Sequence, residues 1–97
     1  MVSTAPSYAI RDNIDKRRFE AELGDGSVAI AEYRLRGRTI LFTHTAVPHA
    51  HEGQGIATAL VRFALEFARE KGLKVVPICP FFAAYIEKHP EEQDLLA

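Results

Sequence analysis

The fold is decided by the stretch from residue 52 to residue 72, which reads EGQGIATALVRFALEFAREKG. Apolar residues recur in it at helical spacing, and a polar stripe lies on the opposite side. The apolar side holds Ile56, Leu60, Ala64 and Phe67, flanked by Val61, Leu65 and Ala68, and the polar side holds Thr58, Arg62, Glu66, Arg69 and Glu70. This pattern predicts an amphipathic helix from Ile56 to Lys71, with Gly72 as its natural stop.

Strand-like segments flank this helix on both sides. Residues 39–47 are dense in β-branched and apolar side chains on both faces, which is typical of a central strand, and Pro48 ends the run. Residues 73–79 form a second such run after the helix. A strand, a helix and a strand at this spacing predict a right-handed crossover that joins two parallel strands.

The residues before this crossover indicate an antiparallel hairpin. Residues 18–23 alternate polar and apolar side chains, residues 24–26 read Gly-Asp-Gly as a turn, and residues 27–36 form the returning strand. Val28 and Ile30 break the alternation of the returning strand. The break fits either a β-bulge or a strand end that is covered on both faces.

The two ends of the chain carry weaker signals. Residues 1–14 hold Ser, Thr, Pro, Asp and Asn with little periodicity, so we expect a flexible lead-in followed by one domain over residues 15–97. A short last helix is predicted from its apolar side, and Pro90 ends it. That side holds Phe82, Tyr85, Ile86 and His89. The expected fold class is therefore α/β (α+β), with antiparallel strands leading into a β-α-β crossover and a short carboxy-terminal helix.

Composition narrows the class of protein. Ninety-seven residues with 47% hydrophobic content suit one small domain, which we expect to be a monomer or a weak homodimer. The formal net charge of −1 gives no overall attraction to nucleic acid. No apolar run approaches the roughly 20 residues that span a bilayer, residues 1–7 lack a secretory signal, and the single cysteine fits a reducing compartment. We therefore expect a cytoplasmic protein without a nucleic-acid or membrane partner.

The loop between the central strand and the long helix is the strongest candidate site. Gly53 and Gly55 lack a Cβ atom, so the backbone there can turn sharply and approach phosphate oxygens. The start of the helix adds unpaired N–H groups and the positive end of the helix dipole. The same glycines also fit a plain tight turn with a helix cap. Neither a Gly-Lys-Ser/Thr P-loop nor the third glycine of a dinucleotide fingerprint is present.

A strand ending at Val47-Pro48, followed by residues 52–57, EGQGIA, at the start of an amphipathic helix, resembles the acetyl-CoA signature of the GNAT N-acetyltransferases. With residues 74–86, KVVPICPFFAAYI, and His89-Pro90, the chain is similar to the short, stand-alone branch of that superfamily, which has a Cys-Pro motif. The resemblance runs from about residue 10 to residue 96.

The resemblance implies a minimal GNAT fold with two splayed parallel strands, and an acetyl-CoA-dependent N-acetyltransferase that acts on a primary amine. The backbone near Ala46 and Val47 would pair with the pantetheine arm of coenzyme A. The amides that would hold the pyrophosphate belong to Gly53, Gln54, Gly55, Ile56, Ala57 and Thr58. An alternative function is a non-catalytic module that binds coenzyme A or another protein.

The chain departs from the usual superfamily pattern at two points. Ala50 stands where the general signature has Arg or Gln, three residues before the first glycine. The pyrophosphate must therefore be bound by backbone amides alone. The helical segment that usually follows the first strand and walls off the acceptor site has no room here. The resemblance therefore leaves the acceptor undefined.

Cys79 has two interpretations. Free cysteine often packs as a small buried hydrophobe. Alternatively, its position before a predicted helix, between Pro77 and Pro80, favours a thiolate nucleophile, which matches the role in acetyl transfer that the resemblance implies.

His44 and Tyr85 are the other catalytic candidates. His44 shares strand parity with Ile40 and Phe42, so it is either a core histidine or a general base that takes a proton from Cys79 or from the amine. Tyr85 is either a packing residue or the general acid near the sulfur of the cofactor.

The histidines and the basic residues of the chain have other interpretations. Three histidines, His44, His49 and His51, have no acid or thiol that completes a metal set, so we expect no metal. The basic residues Arg34, Arg36 and Arg38 read as a solvated strand edge that discourages strand addition. They also fit docking of the ribose phosphate or of an acidic acceptor. Together with Lys16-Arg17-Arg18 they form the weak case for nucleic-acid binding.

Overall fold

The computed structural model describes residues 8–97, which form one mixed five-stranded sheet in the order β1-β2-β3-β4-β5. The strands are β1 (Ala9–Asn13), β2 (Arg18–Glu22), β3 (Val28–Arg36), β4 (Thr39–Ala46) and β5 (Lys74–Pro77), and the helices are α1 (Ile56–Glu70) and α2 (Pro80–Lys88). The first four strands are antiparallel, whereas β4 and β5 are parallel. The predicted mixed sheet and β-α-β crossover are confirmed.

Both helices share one apolar core with the sheet. Phe19 of β2 packs edge-on against Phe63 and Phe67 of α1, with ring centroids 5.4 and 5.0 Å apart. Phe42 of β4 stacks on Phe82 of α2 at 4.2 Å. Because each of these rings removes a large apolar area from water, the aromatic cluster fixes α1 and α2 against the sheet. No helix within residues 8–97 is long and apolar enough to cross a membrane.

Strand β1 corrects part of the predicted lead-in. Residues 9–13 pair with β2, and Ile10 packs against the core, although residues 1–14 were expected to be flexible. Residues 1–7 lie outside the described part of the chain. Polar contacts hold the strand, since Glu20, only 3% exposed, accepts hydrogen bonds from Arg11 and Asn13. A segment with so few apolar residues gives little strand periodicity, and its stabilising partner is a charged side chain of the neighbouring strand, which hydrophobic periodicity does not single out.

Strand β4 carries a β-bulge that changes which side chains face the core. Glu32 lies opposite His44, and Tyr33 lies opposite Phe42, so Thr43 is the extra residue. Phe42 faces the core before the bulge, and Thr45 faces the core after it. His44 points to the other face and is exposed. The parity that the sequence assigned to His44, shared with Ile40 and Phe42, is therefore wrong.

Of the two causes predicted for the alternation break in β3, a β-bulge is absent from its pairing with β2 within residues 8–97. Val28 and Ile30 sit in regular register with β2 and are partly covered, while Ala29 and Ala31 on the opposite face are buried. Neither Val28 nor Ile30 is fully buried, so a strand end covered on both faces stays a prediction. The β-bulge lies further along, opposite β4.

The carboxy terminus adds a 3₁₀ segment that the sequence analysis did not predict. Pro90–Leu95 folds back on α1, where the Arg69 guanidinium contacts carboxylates of Glu92 and Asp94 at 3.0 and 2.7 Å. Leu95 is buried. The last residues thus close the end of the core between α1 and β5.

Candidate active site

The glycine loop adopts a conformation that needs its two glycines. A 3₁₀ turn over His49–His51 leads into Gly53 and Gly55, whose φ angles are 81° and 79°. Gly55 is the N-cap of α1, and no side chain of residues 8–97 caps this helix end. A Cβ atom added at either glycine would meet no atom of residues 8–97 within 4 Å, so these residues leave the space above the loop open. The glycines therefore serve the left-handed backbone and leave its surface accessible.

Six consecutive backbone amides of this loop are free. Within residues 8–97, none of the N–H groups from Gly53 to Thr58 donates to a protein acceptor, and the first internal bond runs from the Ala59 amide to the Gly55 carbonyl at 3.0 Å. The first turn of α1 also contains no acidic residue. Free amides at the positive end of a helix dipole form a binding site for an anion.

A cavity of about 460 Å³ opens over this loop. Its lining includes Gly53, Gly55 and Thr58, together with Thr45 of β4 and Val47 just after that strand. A second cavity of about 290 Å³ adjoins it, because Thr58 and Phe81 line both. The free amides therefore stand at the start of a groove that runs along β4 and on to α2.

The two parallel strands separate beside this groove. Pairing between β4 and β5 ends at Phe42 and Pro77, and the Cys79 amide then donates to the Phe42 carbonyl at 2.8 Å. Residues 43–46 continue along β3, and no strand of residues 8–97 pairs with them on the β5 side. Their backbone groups on that edge are available to an extended ligand.

Cys79 lies at the point of separation, next to Thr45. Its side chain is 5% exposed, and its Sγ atom is 3.4 Å from the Thr45 Oγ1 atom. It is the N-cap residue of α2, with Pro80 in the first turn. Thr45 also lines the larger cavity. The thiol is thus held directly behind Thr45, a residue of the groove wall, and Cys79 itself lines neither cavity.

His44 does not meet Cys79 among the described residues. His44 pairs with Glu32 of β3, and its side chain lies on the solvent face of the sheet. The side chain of Thr45, the next residue, points to the core face and contacts the thiol. The structure therefore does not bring His44 and Cys79 together. Its position suits contact with a molecule that approaches from the solvent face.

A contact from another part of the sheet anchors the glycine loop. The His51 Nε2 atom lies 2.7 Å from the Asp25 Oδ2 atom in the β2–β3 turn, and Asp25 also accepts bonds from the Ser27 hydroxyl and amide. The bond from Ser27, followed by that from His51, lowers the pKa of Asp25. The Asp25 carboxylate in turn raises the pKa of His51. The Tyr8 hydroxyl adds a bond to the Gln54 carbonyl at 3.2 Å.

Tyr85 lines the smaller cavity. Its ring stacks on His89 at 3.8 Å, and within residues 8–97 its hydroxyl has no hydrogen-bond partner. The hydroxyl is therefore free to meet a ligand in the groove.

The three histidines of the sequence analysis stay apart. His49 pairs with Glu52 at 2.9 Å, His51 pairs with Asp25, and His44 lies on the solvent face. No three metal-binding side chains converge anywhere in residues 8–97.

Sequence reasoning missed three residues of this site: Thr45, Asp25 and Phe81. Thr45 was missed because the bulge at Thr43 is visible only in the cross-strand register. Asp25 reads as an ordinary turn residue, and only its distant partner His51 reveals its role. Phe81 follows the Cys-Pro pair, and this neighbourhood was the one signal that pointed to it.

Comparison with known proteins identifies the family. Residues 18–95 match the family described as GCN5-related N-acetyl-transferase. Protein NATD1 of Xenopus tropicalis is 35% identical over 98 residues, which cover 96% of this chain and 89% of that protein. Human Protein NATD1 is 36% identical over 91 residues, covering 89% and 80%. An NMR solution structure of a GCN5-like protein from Staphylococcus aureus superposes with a TM-score of 0.71 at 27% identity, covering 92% of this chain and 87% of that one. The chain therefore belongs to the GCN5-related N-acetyltransferase family.

Proposed function

We propose that this protein is an acetyl-CoA-dependent N-acetyltransferase that transfers an acetyl group to a primary amine. The observation that carries the proposal is the run of free amides from Gly53 to Thr58, which opens into a groove lined by Thr45, the residue that contacts Cys79. A diphosphate satisfies such amides, and a thioester chain suits the unpaired edge of β4.

Each part of coenzyme A has a matching surface. The pyrophosphate would lie on the amides of residues 53–58, and the pantetheine arm would run along β4 at Ala46 and Val47. Val47 lines the cavity, and Ala46 pairs only with Ile30 on the other edge of β4. The acetyl thioester supplies the activated acyl group, and this arrangement would place it near Cys79.

Cys79 is the proposed nucleophile of a two-step transfer. Its sulfur would attack the thioester carbon, the bond from that carbon to the CoA sulfur would break, and CoA would leave as a thiol. The amine would then attack the S-acetyl group, which releases Cys79. As the sulfur attacks, the thiol would pass its proton to water, and the CoA sulfur would receive its own proton from Tyr85. The hydroxyl of Thr45, 3.4 Å from the sulfur, would orient the thiol. Direct attack of the amine on acetyl-CoA is the competing route.

His44 and Tyr85 have separate proposed roles in proton transfer. His44 lies beside Glu32 on the solvent face, where an imidazole can take the proton of an approaching amine. The free hydroxyl of Tyr85 lines the groove and would protonate the departing CoA sulfur. Neither role requires His44 to contact Cys79.

Calorimetry with acetyl-CoA tests the cofactor assignment, and release of CoA thiol over a panel of amines tests turnover. We expect saturable binding with a Kd between about 1 µM and 1 mM, the range of ordinary enzyme substrates. Turnover above the uncatalysed rate would eliminate the alternative of a non-catalytic module. Absence of binding to the folded protein would reject the acetyltransferase proposal.

The anchor between Asp25 and His51 gives a pH-dependent prediction. We expect Asp25→Asn to weaken acetyl-CoA binding about threefold near neutral pH, as for other exposed ion pairs, because the loop loses its support. The raised pKa of His51 means that the contact is complete below the ordinary histidine pKa of about 6.5 and is lost as pH rises through the raised value. The lowered pKa of Asp25 keeps its charge present from above about pH 4.

Calorimetry of both proteins from pH 6 to pH 9 measures this effect, since ionisation of coenzyme A cancels in their ratio. The ratio should approach one at the alkaline end. Asp15→Asn, in the exposed β1–β2 turn, is the matched control and should bind like the wild type. A constant ratio over the whole range would contradict the proposed role of the ion pair.

A further inference from the structure

An open notch lies where the β3–β4 hairpin extends past β2. The last pair between β2 and β3 joins Arg18 to Glu32, after which the Tyr33 amide donates to the Arg17 carbonyl at 3.0 Å. From Arg34 to Arg36, β3 has no strand partner on this edge within residues 8–97. A cavity of about 440 Å³ occupies the space, and we call it the arginine notch. It is lined by Ile14, Arg17, Tyr33, Arg34, Leu35, Arg36 and Leu41.

The arginine notch carries positive charge that the described residues leave unpaired. Arg17, Arg34 and Arg36 are exposed, and no carboxylate within residues 8–97 lies within ion-pair distance of any of them. Arg11, Arg18 and Arg69 pair with carboxylates elsewhere, and the notch differs from other exposed positions in that three unpaired arginines line one cavity. In a chain of net charge −1, three guanidinium groups around one cavity form a local site for carboxylates.

The same notch exposes apolar surface. Ile14 and Leu35 are 73% and 59% exposed, more than any other large hydrophobic side chain of residues 8–97. Arg17, which holds Ile14 in place through a 3.1 Å backbone bond, has a φ of 54° in the left-handed region that a non-glycine residue rarely adopts. The β1–β2 turn is therefore held in a specific shape against the open edge of β3.

We propose that the arginine notch binds an extended acidic peptide segment of a partner protein, which adds as a short strand beside Arg34–Arg36. Backbone groups of β3 form the hydrogen bonds to the peptide, and the guanidinium groups bind the carboxylates of the peptide. Ile14 and Leu35 cover apolar side chains at alternate positions of the peptide. The charges that repel a second copy of this edge attract an acidic strand. Nucleic acid fits less well, because its phosphate backbone offers nothing to the apolar side chains. The inference does not depend on acetyl transfer.

The test uses the full ¹⁵N-labelled chain and a synthetic, end-blocked peptide of about ten residues that alternates glutamate and valine. Amide shifts on titration should cluster at residues 14–17, 33–36 and 41, and affinity should fall as salt is added. The double variant Arg34→Gln, Arg36→Gln should bind at least about tenfold more weakly, since two charge-assisted contacts are removed. Arg62→Gln, an exposed arginine on α1, is the matched control and should bind like the wild type.

Three results would overturn the proposal. The first is equal binding of the peptide with lysine in place of glutamate. The second is tighter binding of a single-stranded oligonucleotide at the same residues. The third is self-association through the notch, detected by sedimentation and lost in the double variant. Because all substituted side chains are exposed, circular dichroism should show unchanged folding, and acetyl-CoA calorimetry reports separately on the proposed function.

Discussion

Gly55→Val should bind acetyl-CoA at least about tenfold more weakly than the wild type, a loss of about 1.4 kcal/mol or more. Gly55 has a φ of 79°, where an ordinary side chain costs about 1–2 kcal/mol and a β-branched one is a genuine outlier. The loop can relieve that strain only by leaving the left-handed conformation, which turns the free amides of residues 53–58 away from the cavity. If the loop keeps the conformation, the valine side chain projects into the open space above the loop, where the pyrophosphate would lie.

Gly37→Val separates this effect from general strain. Gly37 has a φ of 58° in the β3–β4 turn, at the other end of β4 from the glycine loop. An added Cβ there also meets no atom of residues 8–97 within 4 Å. Both variants should lose similar stability on thermal unfolding, but Gly37→Val should retain its acetyl-CoA affinity in calorimetry. A folded Gly55→Val protein that binds as tightly as the wild type would contradict both the amide site and the acetyltransferase proposal.

The glycine loop and its helix are features that sequence predicts well, because their determinants are local. The 3.6-residue period over residues 56–71 fixes a buried face, and Gly53 and Gly55 mark the backbone turn in front of it. The same reasoning finds the crossover from β4 to β5. These signals lie within one window of sequence, so no tertiary information is needed to interpret them.

The contacts that complete the site depend on registers that sequence does not record. One extra residue at Thr43 moves His44 to the solvent face and puts Thr45 beside Cys79. The support of the loop by Asp25 joins residues 26 positions apart, and β1 is held by a buried glutamate rather than by a hydrophobic stripe. Candidate residue types could therefore be chosen from sequence, but not their pairing.

Cys79→Ala should lose roughly a hundredfold or more in acetyl transfer if the relay operates, because the variant has no atom that can carry the acyl group. Intact-mass measurement after incubation with acetyl-CoA should show a single acetyl adduct in the wild type and none in Cys79→Ala. The adduct should be lost when an amine acceptor is added, since the amine takes the acetyl group and regenerates the thiol. Acetyl-CoA affinity should be nearly unchanged, because the free amides bind the far end of the cofactor.

Two variants separate chemistry from packing in this result. Cys79 is 5% exposed, so alanine also removes a packed sulfur atom, and thermal unfolding should report that cost independently of turnover. Thr45→Val keeps the thiol but removes the hydroxyl 3.4 Å from it, so it should still form the adduct, but more slowly. A Cys79→Ala protein that is never acetylated yet turns over like the wild type would refute the relay. Attack of the amine directly on acetyl-CoA would then be the mechanism, with Cys79 reduced to a packing residue between β4 and α2.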